Sequence, residues 1–317
     1  MSHLRITRRE LIQTAGAALP LVGASLAVAN QAARSEISPN VGISTQEFTK
    51  YTNAQLAETL AQRGFRVVQL FLMQSDSRYW KYNGRSDLSD LTAARCEAIG
   101  RAYRSAGITI HSIGVYTNLI HGDPAERQAC LTYFENMMKV GRQIGARTFI
   151  TEAGHWEPEK PKSGGAYHFR EETWKQMLAT VKQLAEMAER HDATVLMEPS
   201  FASFLASAKR TRVFLEEVNS PRIRALLDPA NLLEVDDQEE MFHQLAPWID
   251  CIHAKDRKLH VAQGVAAGRG DVDYRKLVTL TLKYTPQAPL ILEYVGPENY
   301  EQSLQHLQKA IREAGRA

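Results

Sequence analysis

Cysteine is scarce in this chain. Cys96, Cys130 and Cys251 are the three among 317 residues, far apart and without a CxxC pair. That excludes a zinc knuckle and a disulfide framework, and Cys251, inside an apolar run, reads as a buried thiol. An excess of one charge is also missing: 38 Lys and Arg against 36 Asp and Glu leave +2, which argues against a nucleic-acid surface. No stretch is long and apolar enough to span a bilayer. No Gly-rich loop succeeds the first apolar run, Val41–Ser44, which leads into Thr45-Gln46-Glu47-Phe48. That removes a dinucleotide-binding doubly wound sheet. No Pro/Ser-rich linker or change of composition divides residues 34–317, which read as one domain.

The first residues differ in kind. Thr7-Arg8-Arg9-Glu10-Leu11-Ile12 precedes an apolar stretch from Ala15 to Ala29, interrupted by Pro20 and Gly23 and ending in Ala27-Val28-Ala29. A charged start, a short apolar region and an A-x-A-like site predict a signal peptide within residues 1–33. The paired arginines resemble a twin-arginine export signal. The expected location is periplasmic or otherwise exported, with no stable membrane insertion after cleavage.

From residue 41 onward the pattern is regular. Short β-branched runs fall at Val41–Ser44, Arg66–Phe71, Ile108–Val115, Arg147–Thr151, Thr194–Met197, Ile223–Leu227, Ile249–Ile252 and Leu290–Leu292. Helical periodicity fills the gaps over Asn53–Arg63, Ser89–Ser105, Pro124–Ile144, Glu171–Arg190, Ser207–Val218, Asp237–Leu245, Asp273–Lys283 and Pro297–Ala314. Strand alternating with helix implies parallel strands and right-handed crossovers. Eight such units in this length predict an α/β fold closed as a (β/α)8 TIM barrel. Two long irregular segments, Gln74–Asp87 and Ala153–Arg170, are candidate lids over its mouth.

Four polar residues end four successive runs: Glu198 after Met197, Asp228 after Leu227, His253 after Ile252 and Glu293 after Leu292. Strand ends of a barrel converge at one mouth, so these side chains can meet. Three carboxylates brought together without a cation repel one another, and a bound metal resolves this. Three carboxylate oxygens and one imidazole suit Mn, foremost, or Mg, Co or Zn.

Met197-Glu198-Pro199, Leu227-Asp228-Pro229-Ala230-Asn231, Ile252-His253-Ala254-Lys255-Asp256, Ile291-Leu292-Glu293-Tyr294 and the later Gly268-Arg269-Gly270-Asp271-Val272-Asp273 resemble the xylose isomerase-like TIM-barrel superfamily. That superfamily holds sugar isomerases and epimerases, a dehydratase and endonuclease IV. The resemblance implies one divalent ion held by Glu198, Asp228, His253 and Glu293. It also implies that Glu198 and Glu293 exchange protons on opposite faces of a sugar. Asn231 stands where the nuclease and several epimerases carry histidine, so a three-zinc nuclease cluster lacks ligands.

Further candidates lie near the expected mouth. Glu152, ending the fourth run, and His155 are candidate acid/base groups. Asn118, Trp156, Asn231, Lys255 and Arg269 are candidate substrate contacts, with Trp80 and Tyr294 as stacking surfaces. The expected activity is a metal-dependent sugar isomerase or epimerase that abstracts a proton next to a carbonyl held at the metal. The alternatives are an exported lyase that eliminates the aglycone from 3-keto-glycosides, or a non-catalytic metal-dependent sugar-binding protein. The expected partner is a small carbohydrate; oligomeric state is left open.

Overall fold

A computed structural model describes residues 40–155 and 165–315. The expected export leader (1–33) and Trp156 lie outside the described residues. Eight parallel strands form the barrel: β1 (Val41–Ser44), β2 (Val67–Leu70), β3 (Thr109–Gly114), β4 (Thr148–Thr151), β5 (Thr194–Met197), β6 (Ile223–Leu227), β7 (Ile249–Arg257) and, after the short β8 (Gly264–Ala266), β9 (Leu290–Leu292). Sequential neighbours pair in order, β7 pairs β9, and β1 pairs β9 with Val41 opposite Leu290, which closes the ring.

The helices are α1 (Asn53–Gln62), α2 (Ala93–Ser105), α3 (Pro124–Ile144), α4 (Glu171–Arg190), α5 (Ala208–Val218), the one-turn α6 (Pro229–Leu232), α7 (Gln238–Leu245), α8 (Tyr274–Tyr284) and α9 (Tyr300–Ala314). Most start where the sequence says. Thr52, Asp123, Ser207, Asp237 and Asp273 each accept a first-turn amide, satisfying donors that a helix start leaves free. Two starts move. The sequence pattern begins α2 at Ser89, but Asp87 captures the Ser89 amide in a turn at 2.9 Å, and Thr92 becomes the cap. The pattern begins α9 at Pro297, yet the helix starts at Tyr300, because the Asn299 side chain accepts from Gly296 N and holds a turn there. Within Ala153–Arg170, Ala166–Phe169 forms a 3-10 turn. Among the described residues, no helix is long and apolar enough to cross a membrane.

Two apolar layers fix which way each strand residue points. Side chains alternate along a strand. Phe149, Val195, Met197, Ala225, Leu227, Ile252, Ala254, Leu290 and Leu292 join the layer between strands and helices. Val67, Phe71, Ile150, Leu196, Leu226, Cys251 and Ile291 fill the barrel interior. β3 presents Gly114 inward, where an added Cβ would meet the Phe71 ring at 2.8 Å.

Candidate metal centre

The inward layer sets the site. Two residues beyond Ile150, Leu196, Leu226, Cys251 and Ile291 come Glu152, Glu198, Asp228, His253 and Glu293. A step of two keeps the same face of a strand, so all five turn toward the mouth. Glu198, Asp228, His253 and Glu293 are buried, and each offers a ligand atom within 4.8 Å of the others. One ion with bonds of about 2.1 Å sets opposite ligands about 4.2 Å apart, so the spacing fits a single centre. β7 runs beyond the expected Ile252 to Arg257, because its end pairs with β8 in an antiparallel hairpin. His253 therefore sits inside a strand, which makes its direction rigid.

His253 tests whether a cation belongs there. Its Nε2 lies 2.7 Å from Gln69 Oε1. An amide oxygen only accepts, so with this placement of the Gln69 amide Nε2 carries a proton. The other nitrogen, Nδ1, faces Glu198 Oε1 at 3.4 Å, Glu293 Oε2 at 3.4 Å and Asp228 Oδ2 at 3.8 Å. Nδ1 and Glu293 Oε2 make no hydrogen bond although both are buried. A lone pair aimed at three carboxylate oxygens needs a positive charge between. A proton is one answer: burial disfavours it, but Glu293 and Glu198 outweigh that and raise the ring to about 10. A divalent ion is the other, and its binding displaces that proton.

The remaining charges agree. Lys255 Nζ, on the same inward face as His253, lies 2.6 Å from Asp228 Oδ2 and 3.3 Å from Glu293 Oε2. Three carboxylates and one ammonium leave two negative charges, the complement of one divalent ion. Burial pushes Glu293 up, against the opposing pull of His253 and Lys255. Asp228 sits at about 2, burial being overcome by Lys255 and His253.

Each ligand is held from behind. Asp228 Oδ1 caps α6, accepting from Ala230 N at 2.9 Å and Asn231 N at 3.3 Å, which leaves Oδ2 to the centre. Glu198 accepts from Tyr116 Oη at 2.7 Å and from Asn231 Nδ2 at 2.9 Å. Asn231 Oδ1 accepts from Lys255 Nζ at 3.0 Å. Asn231, expected to contact substrate, thus spends both ends of its amide inside the site. Lys255 also stands 4.7 Å from the Tyr294 ring centre.

The neighbouring Asp256, next to Lys255 in the sequence, is used elsewhere. It accepts from Gly268 N and Val272 N and anchors the Gly-rich loop. Gly270 is needed there, since a Cβ would lie 2.2 Å from Asp256 Oδ1.

A cavity of about 80 Å³ opens onto Glu198, Lys255 and Glu293, walled by Gln46, Phe71, Trp80, Tyr82, Tyr116, Glu152 and Tyr294. Tyr82 Oη donates to Glu152 Oε2 at 2.7 Å. Burial first, then the Glu198 charge, raise Glu152 to about 7. His155 stands beside this wall, its ring 6.2 Å from that of Tyr82.

Two expected contacts are not brought to this cavity. Arg269 is exposed, its guanidinium turned to Gln302 at 3.0 Å, because the loop tied to Asp256 faces α9. Asn118 donates to the His155 carbonyl at 2.7 Å and lines a separate cavity. Gln69, Tyr82 and Tyr116 are site residues that the sequence pattern does not single out. Gln69 alone carries a signal, as the polar residue inside the apolar run Val67–Leu70.

The closed ring of eight parallel strands, each followed by a helix, defines a (β/α)8 barrel, and at the C-terminal ends of its strands lies a buried acid–histidine cluster that could hold a metal ion. The chain belongs to the xylose isomerase-like TIM-barrel family, whose model matches residues 57–310. No curated protein matches it in sequence. Among solved structures it is similar to the probable 3-DHS dehydratase AsbF from Bacillus anthracis (18% identity, 86% of this chain and 98% of that one, TM-score 0.68). It is similar to 3-keto-D-glucoside 4-epimerase, YcjR, from E. coli (15%, 86% and 99%, TM-score 0.66). It is also similar to a xylose isomerase-like TIM barrel protein from Mycobacterium smegmatis in complex with magnesium (15%, 89% and 98%, TM-score 0.64). At these identities the likeness shows the shared fold.

Proposed function

We propose that this chain is a metal-dependent sugar isomerase or epimerase that moves a proton at a carbon next to a carbonyl. One observation carries the reading: Glu198 and Glu293 both approach His253 Nδ1 at 3.4 Å, around one buried point. When bound, a divalent ion, Mn foremost, supplies Lewis-acid polarisation of a carbonyl and offsets the charge of the enediolate. Glu198 is positioned by Tyr116 and Asn231 to take or return the proton, and Glu293 is placed beside Lys255 to do the reverse. Lys255 holds its charge next to Asp228 and Glu293. The aromatic wall of Trp80, Tyr116 and Tyr294 offers apolar faces for the C–H side of a sugar ring.

Glu152 favours a second reading of the same site. A carboxyl raised to about 7 is a proton donor near neutrality. After a Glu takes the proton next to a 3-keto group, the C–O bond to the aglycone breaks, and Glu152 protonates the departing oxygen. Solved relatives named as an epimerase and a dehydratase support both outcomes of one proton abstraction. The paired Arg8 and Arg9 and the apolar stretch after them support export through a twin-arginine leader, which fits a substrate met outside the cytoplasm.

The test is turnover in deuterated water by manganese-loaded protein, with free ketoses against 3-keto-glycosides. Solvent deuterium next to the carbonyl supports the isomerase or epimerase, and a released aglycone supports the lyase. Conversion of a ketose without solvent label would mean a hydride shift and would overturn the proton-transfer reading.

A further inference from the structure

The cavity over the metal centre is small. At about 80 Å³ it has room for roughly three waters at their share of liquid volume. That is far below the roughly 300 Å³ at which ligand pockets begin. A divalent ion inside an octahedral shell of waters also exceeds it. For either to reach Glu198 and Glu293, a wall of the cavity has to move.

Phe71, Tyr116, Glu198, Lys255 and Glu293 are buried in that wall. Among the described residues its exposed members are Tyr82, at 51%, and Tyr294, at 43%. Tyr82 is tied down: its Oη is bonded to Glu152 at 2.7 Å, and its ring lies beside those of Trp80, Tyr116 and His155. Tyr294 is held by less. Its ring rests 4.7 Å from the Lys255 ammonium and against Gly264 on β8, where an added Cβ would lie 3.1 Å from Tyr294 Cε1. The same residue also borders the groove outside the cavity, between the β1–α1 and β9–α9 loops, with Glu47 and Pro297. Its backbone is left-handed, at φ 57°. A bulky side chain seldom takes that conformation, and it persists only where the surroundings hold it. Here the surroundings are one ammonium and one bare glycine.

We propose that Tyr294 is the gate of the metal centre. Its ring swings off Lys255 and Gly264, joins the cavity to the outer groove, and so admits the ion and then a molecule of sugar size. The use of the gate by a sugar rests on the reading of the centre as a carbohydrate site; the motion itself does not. Tyr82, fixed to Glu152, is the side of the mouth that stays in place.

The test uses manganese alone on the full-length protein, so that the gate is read apart from any sugar chemistry. Stopped-flow mixing gives the rate of entry, and release into an excess of chelating dye gives the rate of exit. Tyr294→Gly and Tyr294→Asn both remove the ring and suit the left-handed backbone, so one stands in if the other fails to fold. Tyr294→Phe keeps the ring over Lys255. In the Gly and Asn variants entry and exit should both quicken about tenfold, the worth of one cation–π contact. Their Kd should stay within about threefold of the unaltered protein, because a gate changes both rates together. Tyr294→Phe should be as slow as the unaltered protein. Unchanged rates in the Gly and Asn variants, or equal acceleration in Tyr294→Phe, would overturn the gate. Faster exit without faster entry would overturn it too, since the ring would then be holding the ion. Rates that respond without any sugar turnover keep the gate and sink the sugar reading; turnover with unresponsive rates does the opposite.

Discussion

Gln69 on β2 and His253 on β7, 184 positions apart in the chain, meet at 2.7 Å through Oε1 and Nε2. This contact turns the histidine's other nitrogen toward the carboxylates. Gln69→Leu should weaken divalent-ion affinity about 10–100-fold, the usual effect of losing such an outer partner. It also leaves a buried N–H unpaired. Gln69→Glu keeps an acceptor and should retain most of the affinity. Competition against a chelating dye, measured on both variants, checks this. Unchanged affinity in Gln69→Leu would mean that the ring is held by β7 alone.

Gly100 packs α2 against the end of α3. A Cβ on Gly100 would lie 1.9 Å from the Ile144 carbonyl oxygen, which is backbone and cannot rotate away. Gly100→Ala would ordinarily favour a helix interior. Here it should destabilise by about 1–3 kcal/mol, the range for overpacking a close contact. Urea unfolding compared with a surface control such as Gly84→Ala checks the sign.

Much of this architecture is legible in the chain. All eight barrel strands, and the four-residue cluster, come from strand periodicity and from one polar residue ending each of four runs. The step of two from Leu196 to Glu198, or from Cys251 to His253, is written in the order of residues. Hidden from local pattern is whatever depends on which loop bends over which strand. Tyr116 reaches Glu198 across 82 residues, and Tyr82 reaches Glu152 across 70. No local pattern separates these tyrosines from packing ones. Arg269 misleads because a Gly-rich turn near the mouth suggests a side chain facing it, whereas Asp256 pulls that turn toward α9.

His168 links stability to pH. Burial first, then the charges of His155 and Arg210, lower it to about 4 from its ordinary 6.5, and its Nε2 is buried without a partner. The unfolded chain therefore binds a proton more readily than the folded one. Stability from this group is fully present above pH 6.5 and is lost as pH falls toward 4. His168→Leu should flatten that decline. Urea midpoints at about pH 7.5 and about pH 5.0 for both proteins give the slope, and equal slopes would remove His168 as the cause.

Glu198 and Glu293 differ in what holds them, and that difference separates their roles. Glu198 is fixed by two neutral donors, Tyr116 and Asn231, whereas Glu293 faces the Lys255 ammonium at 3.3 Å. Replacing either by Gln keeps its volume and one oxygen for the metal but removes the base. Turnover should fall about 10²–10⁴-fold in each, the range for a positioned acid or base. Bound metal, measured by elemental analysis, should remain. Exchange of substrate hydrogen with deuterated solvent then assigns the faces. If Glu198 takes the first proton, Glu293→Gln should still wash label into unconverted substrate, because removal and return on one face need only Glu198. Glu198→Gln should show neither exchange nor product from that substrate, but should exchange the epimer. The reverse pattern would swap the two roles. Full turnover in both variants with metal bound would move the proton transfer to Glu152, whose carboxyl shares the cavity, and would end the two-glutamate account.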